Sequence, residues 1–163
     1  FGLGGDPRVQ AAFAFLIEEM SSENALNCGR YQHQNCLWGA IAALNGLAAL
    51  PAEMRTAQSQ EVVKRLANAL LDARYDFEGE HKRWLTFGAP RAWDLLSALK
   101  ALAAHGFALD SRFAPLFELV LSRQDAQGRW LCGSVSRTWP IERRNQPSKW
   151  ITLDALRVLK QAG

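Results

Sequence analysis

Cysteine is scarce in this sequence and its count is odd, three in 163 residues. Such usage speaks against the disulfide scaffold of a small secreted domain. Long apolar runs are missing too. The longest, residues 36–50, is broken by Asn45 and falls short of the ~18 residues that a membrane span requires. Neither sign of charge dominates, because nineteen Lys and Arg face sixteen Asp and Glu for a net +3. That field is too weak to argue for nucleic acid or a membrane surface as partner. No G-x-S-x-G, P-loop, H-E-x-x-H or dinucleotide fingerprint occurs, and Gly2-Leu3-Gly4-Gly5 lacks the strand that a dinucleotide loop follows. There is no signal-peptide pattern, and the first residue is Phe1 rather than Met. With 48% hydrophobic and 21% charged residues, disorder, collagen and coiled coil are excluded. A chain of 18.1 kDa is the size of one domain, able to bury roughly 70% of its unfolded surface. The expectation is a single, cytoplasmic, globular domain.

What is present is a repeat. Trp38, Ile41, Ala43, Leu44 and Leu47 recur in register as Trp93, Leu96, Ala98, Leu99 and Leu102, and again as Trp150, Leu153, Ala155, Leu156 and Leu159. Each copy follows a more amphipathic stretch. Val9, Phe13, Leu16, Ile17 and Met20 fall at helical spacing, as do Val62, Val63, Leu66, Leu70 and Leu71, and Phe113, Leu116, Phe117, Val120 and Leu121. Asp6-Pro7 reads as a helix start, a capping carboxylate before proline in the first turn. The pattern predicts three α-hairpins, about 6–51, 58–106 and 110–163, with Trp helices inside and amphipathic helices outside. Links between hairpins are short, whereas loops inside them (about 21–35, 73–90 and 122–148) are long and should share one end. Insertions gathered on one face of a repeat protein usually mark its binding face. The stretch Phe1 to Arg8 parallels His105 to Arg112, which leads us to expect further repeats upstream.

At the end of the third amphipathic helix stands Gln124-Asp125-Ala126-Gln127-Gly128-Arg129-Trp130. This run resembles the Q-x3-G-x-W repeat of squalene and oxidosqualene cyclases, whose α/α toroids are shared by protein prenyltransferase β subunits. Val120 fits the aliphatic position of that motif, while Leu119 stands where an aromatic is usual. Glu78 to Trp84 is a degenerate echo. The chain as a whole resembles bacterial proteins with prenyltransferase and squalene-oxidase-type repeats, in the stretches His81-x-x-Trp84-Leu85-x-Phe87-Gly88-x-Pro90, Thr138-Trp139 and Gln146-Pro147-Ser148-Lys149-Trp150. The resemblance implies an all-α fold, an α/α-toroid segment with inner and outer helix layers. A closed toroid uses more than three hairpins. The resemblance therefore implies half a ring, an open arc, or one partner of a dimer. The D-x-D-D acid of class II cyclases, the Asp-x-Cys pair of prenyltransferases and the Cys-His-Gly of lanthipeptide cyclases are all missing from this sequence.

Several groups could carry function. Cys28, His33 and Cys36 form C-x4-H-x2-C, with Cys132 in the equivalent loop of the third repeat. Thiolate and imidazole are zinc ligands, yet the spacing matches no common zinc module. A Cys28–Cys36 disulfide and inert packing remain open beside it. Arg83 and Arg91 in the second loop and Arg137, Arg143, Arg144 and Lys149 in the third could clamp a diphosphate or carboxylate. Asp72, Asp76, Glu78, Glu80 and Glu142 would neutralise much of that field. His81, Trp84 and Trp139 belong to the same loop end and suit an apolar or isoprenoid ligand. They could equally anchor the loops. Trp130 holds the motif's structural place, and His105 beside Gly106 reads as part of a helix C-terminus. Asn45, Lys100 and Arg157 form a polar column seven residues after each Trp, and Asp154 is spaced to pair with Arg157. The resulting expectation is a non-catalytic module that binds a hydrophobic ligand or a protein partner on its concave, long-loop face. The alternative is an isoprenoid-handling transferase or cyclase-like enzyme, zinc-dependent if Cys28, His33 and Cys36 ligate.

Overall fold

A computed structural model describes residues 3–27, 36–72, 94–133 and 142–162. Among the described residues are six α-helices and no strand. They are α1 Pro7–Ser21, α2 Leu37–Ala48, α3 Ala57–Asp72, α4 Leu95–Ala104, α5 Ala114–Ser122 and α6 Lys149–Ala162. This is an all-α structure with its helices in the order the repeat pattern predicts. Two compact units divide the chain, Phe1–Asp72 and Ala73–Gly163. The division falls between α3 and α4, inside the second predicted hairpin.

In the first unit, Asp6 starts α1 by accepting the Arg8 backbone N–H at 2.8 Å, with Pro7 in the first turn. Thr56 and Ser59 start α3 reciprocally: the Ser59 N–H donates to Thr56 Oγ1 at 3.1 Å, and the Thr56 N–H donates to Ser59 Oγ at 2.9 Å. This exchange satisfies two backbone donors that a helix start otherwise leaves open. α3 packs along α2 and, less extensively, on α1. Ile41, Leu44 and Leu47 of α2 and Val62, Leu66 and Leu70 of α3 are buried, each worth about 1.5–3 kcal/mol of hydrophobic stabilisation. Gly46 lets α1 approach α2, since a Cβ there would stand 3.2 Å from Leu16 Cδ2. Across α1 only Ile17 is buried.

In the second unit, α4 packs on α6 and buries Leu95, Leu96, Ala98, Leu99, Ala101, Leu102 and Ala103. α4 ends at His105, followed by Gly106 at φ +82°, a left-handed turn that glycine makes without strain. The parallel between the stretches before Asp6 and before Asp110 is geometric as well as sequential. Asp110 accepts Arg112 N at 2.9 Å, Nε at 3.0 Å and Nη2 at 2.7 Å. Asp6 accepts the same three groups of Arg8 at 2.8, 3.0 and 2.7 Å. One difference from the expected layering concerns α6. The repeat predicts a Trp helix covered on most sides, but α6 buries only Ile151, Ala155 and Val158. Its sequence is less apolar than that of α2, with Lys149, Asp154, Arg157 and Lys160 in fourteen residues.

Candidate functional site

The Gln124–Trp130 run folds as a closed turn that leads toward α6. Asp125 accepts the backbone N–H groups of Gln127 at 2.9 Å and Arg129 at 2.8 Å, while Gln124 Nε2 donates to the Gly128 carbonyl at 3.1 Å. Gly128 sits at φ +77°. The Arg129 backbone N–H and guanidinium hold the Asp125 carboxyl below its ordinary range. Trp130 is 2% exposed and its indole N–H donates to the Val120 carbonyl in α5 at 2.7 Å. Trp130 is therefore an anchor, as its place in the motif implies. The segment 130–132 then pairs with 145–148: Cys132 N donates to Gln146 O at 2.8 Å, Asn145 N to Cys132 O at 2.7 Å, and Ser148 N to Trp130 O at 2.8 Å. Buried Ser148 starts α6 by accepting the Ile151 N–H at 3.1 Å.

Beyond this pairing, α6 leaves part of its surface open. Trp150, Leu153 and Leu156 are 42%, 39% and 50% exposed, and their spacing of three places them on one face. Lys149 stands over the Trp150 ring, 5.4 Å from its centroid, close enough for a cation–π attraction. Arg143 and Arg144, in the turn just before the helix, are exposed, as are Arg157 and Lys160 on α6. The result is an apolar stripe with a basic rim.

Asp154 on α6 receives Lys100 Nζ of α4 at 3.0 Å and Arg157 Nη1 at 3.4 Å. The predicted Asp154–Arg157 pair thus forms, and the polar column contributes Lys100 to it. Asp94, one helical turn before Ser97, accepts the Ser97 N–H at 2.8 Å and is 4% exposed. Burial pushes the Asp94 carboxyl up to about 6, Asp154 adds to the rise, and the bonds to Ser97 oppose it. Nothing in the sequence singles Asp94 out, because it reads as an ordinary helix cap after Trp93.

In the first unit a groove of about 300 Å³ is lined by Ser21, Gln58, Glu61, Val62 and Arg65. Arg65 Nη1 donates to the Ser22 carbonyl at 2.9 Å and Gln58 Nε2 to Ser21 Oγ at 3.0 Å, closing the end of α1. Arg65 Nη2 is buried and unpaired.

Of the sequence candidates, Cys28, His33, His81, Arg83, Trp84, Arg91, Arg137 and Trp139 lie outside the described residues. Cys36 is half-buried at the start of α2, where its backbone N–H donates to the Leu26 carbonyl at 2.7 Å. Cys132 is fully buried in the second unit. Among the described residues, no three His, Cys, Asp or Glu side chains gather to hold a metal ion. None of the described helices is long and apolar enough to cross a membrane. Of the ligand-binding candidates, Arg143, Arg144 and Lys149 are described, and all three are exposed. Comparison with protein-family models, curated proteins and solved structures finds no match for the chain.

Proposed function

We propose that the chain is a non-catalytic helical-repeat module, an α/α-toroid segment that binds a protein partner at its long-loop end and along α6. The single observation behind this reading is the exposed stripe of Trp150, Leu153 and Leu156 inside a rim of Arg143, Arg144, Lys149, Arg157 and Lys160. Three large apolar side chains in a row on one helix are costly to leave in water, and such patches mark interaction sites. A helix face is convex. It cannot enclose an isoprenoid chain, but it seats well against another helix, ridges into grooves. The basic rim selects a partner whose apolar face is flanked by carboxylates.

The test is a titration of the whole chain with a fluorescent synthetic amphipathic helix carrying leucines on one face and glutamates at its flanks. Saturable binding is expected for the natural sequence and its loss for Leu153→Glu/Leu156→Glu. Binding that the double substitution leaves intact would overturn the assignment to α6.

A further inference from the structure

The repeat register shows what is missing from α6. Positions three and six after the Trp are Ile41 and Leu44 in α2, Leu96 and Leu99 in α4, and Leu153 and Leu156 in α6. The first four are 1%, 0%, 4% and 0% exposed; the last two are 39% and 50% exposed. In the first unit, the partner laid along α2 is α3, the amphipathic helix that follows it. The link 49–56 joins α2 to α3.

The amphipathic helix α1 is the first-hairpin counterpart of α3, and it is only partly covered. α3 buries Val62, Leu66, Ala67, Leu70 and Leu71. α1 buries Ile17 alone, leaving Val9, Phe13, Leu16 and Met20 half-buried. Its apolar arc runs on from Leu16 to exposed Ala12 and to Phe15, which is 64% exposed. Glu19, one turn beyond Phe15, shares that edge and is exposed.

We propose that this chain self-associates head to tail, with α1 of one copy covering α6 of the next as α3 covers α2. The proposal rests on the binding reading of α6 given above and commits its partner to a second copy. Charge supports the match. Antiparallel docking sets the C-terminal end of α1, with exposed Glu18, Glu19 and Glu23, beside the N-terminal end of α6, with exposed Arg143, Arg144 and Lys149. Opposite charges meet, and the two helix dipoles oppose favourably. At the other end, Arg8 is already paired with Asp6 at 2.7 Å, so it adds little repulsion beside Arg157 and Lys160. Each copy carries one α6 stripe and one α1 edge, so the contact uses both and needs no other partner.

Sedimentation velocity on the whole chain over a wide concentration range tests this, with circular dichroism confirming that each variant is folded. The natural sequence is expected to sediment as a dimer or larger assembly. Leu153→Glu/Leu156→Glu and, separately, Phe15→Glu are each expected to yield monomers. Lys149→Glu should weaken association by about two- to fivefold, and adding Glu19→Lys should restore it. A monomeric natural chain would overturn the proposal. So would a Phe15→Glu chain that still associates while the α6 variant does not, since that pattern belongs to α6 pairing with α6. A monomer that still binds the acidic amphipathic helix would leave the binding reading standing, and a monomer that binds nothing would remove both.

Discussion

Two side chains illustrate how one residue can carry a local structure. Asp94 accepts the Ser97 N–H, as a good helix cap does, but it does so while 4% exposed. Its folded-state carboxyl is raised from an ordinary 3.8 to about 6, so the folded chain holds this proton more tightly than the unfolded chain. The stability linked to that proton is fully present below about 3.8 and is lost as pH rises through about 6. Asparagine keeps the capping oxygen and removes the charge. Asp94→Asn is therefore expected to raise the thermal midpoint at pH 7.5, by an amount that shrinks as the pH approaches 4. Melting curves across that range check it, and a pH-independent difference would contradict the burial argument. Trp130 is the second case. Trp130→Ala should cost about 3–5 kcal/mol in urea unfolding through the cavity it leaves. Trp130→Phe should cost about 0.5–1.5 kcal/mol, because the Val120 carbonyl loses the indole donor and keeps the Arg123 N–H at 3.2 Å.

At the scale of the helix, α2 and α6 share a sequence pattern and differ in environment. Leu44 and Leu156 occupy the same repeat position, yet one is 0% exposed and the other 50%. Leu44→Ala is expected to cost about 2–5 kcal/mol. Leu156→Ala, in dilute chain, should stay within about 0.5 kcal/mol of the natural protein. Denaturant titrations of the two variants measure the contrast directly, and equal costs would mean that α6 is covered in solution. One helix start was legible. Asp6-Pro7 signals its own bond to Arg8, and the likeness of Phe1–Arg8 to His105–Arg112 announced the matching bonds of Asp110. These caps involve residues two apart, Asp6 with Arg8 and Asp110 with Arg112, so neighbouring positions suffice to show them. Exposure of α6 was not legible, since Leu153 and Leu156 match their buried counterparts in residue type.

Over the whole chain, the residues of the candidate site divide the same way. Arg143, Arg144 and Lys149 were visible as a basic group in the third loop. Their conjunction with an exposed Trp150, Leu153 and Leu156 depends on the pairing of 130–132 with 145–148, a contact between distant parts of the sequence. Asp94 became chemically distinct only through its burial and the nearby Asp154 carboxylate. The sequence by itself determined the helical class, the order of the helices and the Asp6 cap, because helical periodicity and short-range hydrogen bonds are local. The tertiary structure alone decided which face of each Trp helix is dry. Burial is set by whichever element lies across the face, and identical side chains in identical register take opposite roles when α3 covers one helix and water covers the other.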